Sequence, residues 1–141
     1  MKTGRYNASI GLLAMAGFMT YGFLLIYLRD FHPDKEAWVA SYSVGKHFEA
    51  RLAHVHGNLF GFLNLVLAFV LARLGRASDR TRTAVAVLGL MGLLMPIGIL
   101  GELYLGLSPV FVLVGALSMT AAVFLGGVLA LRHWSGSEAR P

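Results

Sequence analysis

The chain has 141 residues, of which 57% are hydrophobic and only 13% charged, and its mean hydropathy is +0.68. Few soluble domains of this size have such a balance, and the excess of Lys and Arg forms no stripe interleaved with aromatics, so nothing supports nucleic-acid binding. The absence of cysteine excludes disulfides, thiolate metal sites and covalent haem attachment through a CxxCH motif.

Four stretches reach the roughly 20 apolar residues that ~30 Å of hydrocarbon requires. The first, 8–28, follows a short segment carrying Lys2 and Arg5, as a signal peptide would. Its apolar run is too long for a signal h-region and no small-x-small site precedes Arg29, so it is kept as a helix. Residues 29–51 are the one substantial connection. They mix charges with Phe31, Trp38, Tyr42 and Phe48, the composition of an ordered extramembrane cap or of an ordinary interfacial loop. The second span, 52–74, leads through a polar turn, Gly75 to Thr83, into the third, 84–107, where Met95-Pro96 among Gly92, Gly98 and Gly101 marks a kink. Leu107-Ser108-Pro109 is barely a turn before the fourth span, 109–131, and residues 135–141 read as a disordered tail.

None of these runs has the alternation of a barrel strand, and each must satisfy its own backbone in the absence of water. The expected fold class is therefore an all-α integral membrane protein: a 1–134 domain of four transmembrane helices in an antiparallel bundle. Orientation follows from the basic residues. Lys2, Arg5, Arg73, Arg76, Arg80, Arg82, Arg132 and Arg140 fall on one side, and Arg29, Lys35, Lys46 and Arg51 on the other. That asymmetry predicts both termini in the cytoplasm of a multi-pass protein of a bacterial inner membrane, with anionic lipid as a partner.

The second span carries an unusual cluster: His54, His56, Asn58 and Asn64. Ionisable side chains inside a span are costly and tend to mark a cofactor, ion or substrate site. With His54 at 0°, a 100° step puts Leu65 at about 20°, Asn58 at about 40°, Gly61 at about −20°, Gly57 at about −60° and Asn64 at about −80°. His56 falls near ~200°, on the opposite side, so the two histidines cannot both ligate one metal in the ordinary way. Gly57-xxx-Gly61 allows close approach, either of another helix or of a flat cofactor.

With the termini inside, the start of the second span shares the outer layer with Glu102 and Tyr104 at the end of the third and with Tyr21 and Tyr27 of the first. Glu102 is the one acid within a span, either a site group or a residue that snorkels to water. The methionines Met15, Met19, Met91 and Met119 read as gap fillers.

The stretch 53–82, AHVHGNLFGFLNLVLAFVLARLGRASDRTR, resembles the second helix and following turn of the styrene oxide isomerases, small four-helix membrane enzymes. The likeness is an Ala-His pair at the start of the span, a matching distance to the exit Phe69, Val70, Leu71, Leu74 and Gly75, and a basic turn containing Asp. The resemblance implies haem b held between protomers of a trimer, with His54 as axial ligand and ferric iron acting as a Lewis acid on an epoxide that rearranges to an aldehyde. The pattern also departs. The family's asparagine six residues after the ligand falls on Phe60, with Asn58 and Asn64 flanking it, and its third-helix acid and tyrosine have no clean counterpart in Glu102 and Tyr104. A looser similarity of His-x-His-x-Asn to helices of the haem-copper oxidases also points to haem.

Haem suits what the residues offer. An axial imidazole needs its other ring nitrogen held by an acceptor, for which the Ala50 carbonyl or the Asn58 amide is expected, and Arg51, Lys46 or His47 are available to propionates. The candidate site residues are thus His54 as metal ligand, Gly57, Gly61 and Arg51 around the cofactor, and Asn58, Asn64, Glu102 and Tyr104 as catalytic groups. Three classes of function follow. The first is a haem-dependent epoxide isomerase acting on a small apolar substrate. The second is a haem electron-transfer or assembly subunit with a second axial ligand, His47 or the His56 of a neighbouring helix. The third is a cofactor-free membrane protein, or a copper protein using His47, His54 and His56. A chain of 15.2 kDa can hardly enclose haem within its own bundle, which predicts a homo-oligomer, and the resemblance favours a trimer.

Overall fold

The computed structural model of the protein describes residues 3–74 and 77–134. Among them the chain is all-helical: α1 (Thr3–Asp30), α2 (Lys35–Ala40), α3 (Lys46–Arg73), α4 (Asp79–Gly92), α5 (Leu94–Leu105) and α6 (Val110–His133). Four helical stretches are long and apolar enough to cross a membrane: Gly4–Asp30, Lys46–Arg73, Asp79–Leu105 and Val110–His133. The expected tail, 135–141, lies outside the described residues, as do Gly75 and Arg76.

The helices extend beyond the apolar spans. α3 starts at Lys46, so the last six residues of the expected cap are helix, and the cap proper reduces to α2 and its flanking turns. The polar stretch expected as a turn is likewise corrected: Asp79 to Thr83 opens α4, because the Ser78 side chain caps it by accepting from the Thr81 N–H at 3.2 Å. Across the same junction, the Arg82 guanidinium donates to the Leu74 carbonyl, one of the acceptors left free at the end of α3.

The third span bends at Leu93, between α4 and α5. Pro96 has no N–H to offer the carbonyl four residues back, and its ring disturbs the preceding turn. The Leu93 N–H turns to the Leu90 carbonyl at 3.1 Å, and the Gly89 carbonyl instead accepts from Asn64 Nδ2 of α3 at 2.9 Å. A neighbouring helix thereby satisfies backbone that the bend released.

Contacts set the directions. Asn7 reaches Asn64 and Ala86, and the Tyr21 hydroxyl meets that of Tyr104, so α1 runs antiparallel to α3 and parallel to α4 and α5. α6 runs back along α4 and α5: a Cβ on Gly92 would strike Met119, and one on Gly98 would strike Val112. The core of Phe60, Leu67, Leu71, Leu74, Val85, Leu93 and Met119 lies among α3, α4, α5 and α6. α1 lies at its edge, since 17% of its most apolar stretch is buried against 50% in the α4–α5 span. What holds α1 is close crossing on α3. A Cβ on Gly11 would come 2.7 Å from the Gly61 carbonyl, and one on Gly61 would come 2.8 Å from that of Gly11. Side chains at this crossing would push the two backbones apart.

Candidate functional site

His54 sits one third of the way along α3, half-buried against α1. Its Nδ1 lies 2.7 Å from the Phe18 carbonyl. A carbonyl only accepts, so Nδ1 is the donor, and in the neutral imidazole Nε2 then has the lone pair. Such an arrangement orients a ligating imidazole and raises its basicity. The ring fits because α1 presents Gly22 to it: a Cβ there would come 2.7 Å from Cε1 and 3.4 Å from Nε2. The expected holders of the second nitrogen are corrected here. Neither the Ala50 carbonyl nor Asn58 binds the ring, because α1 passes close enough for its own backbone to do so.

Beside this ring is a cavity of about 460 Å³, lined by His54 together with Gly22, Leu25, His47, Arg51 and Arg29, and extending along Met19, Phe23, Ile26 and Tyr42. Its volume lies within the range of small-molecule and cofactor sites. Phe23 and Ile26 are 70% and 44% exposed, so the cavity opens on the outer flank of α1. The cations belong to the end nearer α2. Arg51 lies with its guanidinium 3.8 Å from the centre of the Tyr42 ring and donates to the Tyr42 carbonyl at 3.3 Å. Arg29 is held by both carboxylate oxygens of Asp30, at 2.9 and 2.7 Å. His47 is buried, stacked on Trp38 at 4.8 Å between ring centres, and donates from Nδ1 to the Trp38 carbonyl at 3.0 Å. One cavity is thus lined by a fixed imidazole, two guanidinium-bearing residues and a largely apolar wall.

Of the residues expected from sequence, this cavity gathers His54, Arg51 and His47. Lys46 borders a separate hollow with Leu28 and His32. Gly57 and Gly61 pack on α1, where a Cβ would meet the Phe18 ring and Met15. Asn58 donates to the His54 carbonyl at 2.9 Å, a bond along its own helix. Asn64 is wholly buried a further ten residues along α3, where it donates to the Phe60 and Gly89 carbonyls and accepts from Asn7 at 2.8 Å. Tyr104 pairs with Tyr21 at 3.0 Å between hydroxyls, and Glu102 is exposed on α5. His56 turns to the Leu52 carbonyl at 2.9 Å and sits edge-on to Phe60. Among the described residues, no group of three His, Asp or Glu side chains stands together in a metal-holding arrangement.

Two participants carried a readable signal that spacing on α3 alone does not reveal: Arg29 lies in the last turn of α1, and Gly22 is a gap in an otherwise bulky face. Comparison of the chain with protein-family models, with curated proteins and with solved structures returned no match.

Proposed function

We propose that the protein spans a membrane four times, with both termini on the cytoplasmic side, and binds haem b through His54 Nε2. The observation that carries this reading is the Nδ1 bond to the Phe18 carbonyl in a ring that lines the cavity, since a neutral imidazole held this way has Nε2 as its lone-pair donor. Arg51 supplies a cation for a propionate, and the apolar wall suits a macrocycle. Gly22 leaves room for the His54 ring where any Cβ would crowd it. The excess of basic residues on the side of the termini supports the orientation.

When bound, ferric haem would supply a Lewis acid able to polarise the oxygen of an aryl epoxide, which is the isomerase reading. His54 would hold the group through its ring, while His47 lies seven residues earlier on the same helix and is itself held by Trp38. Met19, Phe23, Leu25 and Ile26 provide an apolar surface against which a small aryl substrate is sheltered from water. Because the cavity is open along α1, a second copy is the natural cover, in a homo-oligomer for which a trimer is the proposed state.

The detergent-purified protein, expressed with haem supplied, is expected to show the Soret band of b-type haem, to shift it when an azole is added, and to convert styrene oxide to the aldehyde. A protein that purifies without a Soret band removes the haem reading. A low-spin spectrum insensitive to azoles, with no turnover, replaces the isomerase by an electron-transfer or carrier role. A narrower test uses Gly22→Val, whose added carbons occupy the place of the pinned His54 ring. Haem affinity is expected to fall about 10- to 100-fold, the usual effect of disturbing a ligand's orientation, while helix content by circular dichroism is unchanged. Unaltered haem affinity would mean that His54 is not held as described.

A further inference from the structure

At the end of the bundle away from His54, residues of α1, α3 and α4 line a cavity of about 240 Å³. Its lining divides by chemistry. Ala68, Leu71 and Ala72, in the last turns of α3, form an apolar wall, and the charges come from the other two helices: Arg5 near the start of α1, Asp79 and Arg82 in the first turn of α4. Arg5 and Asp79 are exposed, so both side chains are within reach of a ligand. Arg82 is half-buried and fixed, since its guanidinium donates to the Leu74 carbonyl at the end of α3. No ion pair joins Asp79 to either arginine among the described residues. Opposite charges thus line one cavity without neutralising each other.

Water would solvate these charges and leave the apolar wall wetted. A phosphodiester answers the arginines, because guanidinium groups match phosphate oxygens. It does not answer Asp79, whose carboxylate repels a phosphate. An ammonium group on the same molecule does, by Coulomb attraction and by donating N–H bonds to the carboxylate. A choline headgroup has no N–H to donate, and a glycerol headgroup has no positive charge. The three charged residues stand where the apolar spans end, the level at which lipid headgroups meet a membrane protein.

We propose that this cavity binds a phospholipid with a primary-amine headgroup, of the phosphatidylethanolamine kind. The phosphate lies at Arg5 beside the fixed charge of Arg82, the ammonium at Asp79, and the glycerol against Ala68, Leu71 and Ala72. The proposal rests on the four-span reading of the chain and is independent of haem.

The test is native mass spectrometry of the full-length protein in detergent, titrated separately with dioleoyl phosphatidylethanolamine, phosphatidylcholine and phosphatidylglycerol, which share their acyl chains. A one-to-one adduct with the ethanolamine lipid is expected, bound about fivefold more tightly than either other lipid, the upper worth of an exposed ion pair. Asp79→Asn should abolish that preference. Arg5→Gln should weaken all three lipids by about fivefold, with helix content by circular dichroism unchanged for both variants. Equal binding of the three lipids, a preference for phosphatidylglycerol, or an ethanolamine preference that survives Asp79→Asn would each overturn the proposal. Inorganic phosphate that displaces the lipid at millimolar concentration would make the ligand a soluble phosphate and overturn it too. Failure of the four-span reading is seen separately, as protein released from membranes by an alkaline carbonate wash.

Discussion

His54→Ala is expected to purify without haem, whereas His56→Ala keeps a full complement, one per chain, by pyridine haemochrome assay. The two substitutions remove the same side chain from positions two residues apart on α3 and cost the span a similar loss of packing. They differ in what the imidazole faces. His54 borders the cavity with Nδ1 anchored on another helix, and His56 spends its Nδ1 on the Leu52 carbonyl of its own helix, beside Phe60 and away from the cavity. Loss of the iron's protein ligand should weaken haem binding enough for the cofactor to be lost on purification. Haem retained by His54→Ala and lost from His56→Ala would reverse the buried face of α3 and remove the proposed site with it.

The second large effect is on stability. Asn64→Leu removes an acceptor for Asn7 and a donor for the Gly89 carbonyl, both between helices, and leaves that carbonyl without its partner at the bend. Interhelical hydrogen bonds in membranes are worth on average about 0.6 kcal/mol and at most about 1.7. With the orphaned groups included, the loss should be roughly 1–3 kcal/mol, read as a lowered midpoint of unfolding in SDS. Haem affinity should be unaffected, because Asn64 lies roughly 15 Å along α3 from His54. Full stability and retained haem combined with lost epoxide turnover would instead make Asn64 the catalytic group that sequence alone suggested.

Much of the architecture is legible in the linear chain because its causes are local. The apolar lengths, the absence of strand alternation and the helix-disturbing Pro96 suffice to anticipate four long helices with a bend in the third. The angular sorting of α3 separates His54 from His56 for the same reason: residues on one helix keep a fixed angle whatever surrounds them. Ser78 shows the limit of composition even locally, since a polar run reads as a turn until its cap makes it the start of a helix.

What only the tertiary structure decided is which groups meet across helices. Gly57, Gly61, Asn58 and Asn64 share a face with His54, yet a helix of 28 residues is far longer than any site, and packing divides that face among separate tasks. The glycines receive α1, Asn58 bonds the backbone of its own helix, and Asn64 serves the bend of another. The groups that join His54 at its cavity come from remote positions: the Phe18 carbonyl, the gap at Gly22 and Arg29 are brought there because α1 crosses α3 closely at Gly11 and Gly61. A backbone carbonyl has no side-chain signature, and a crossing angle depends on both surfaces at once, so neither can be read from the periodicity of one helix.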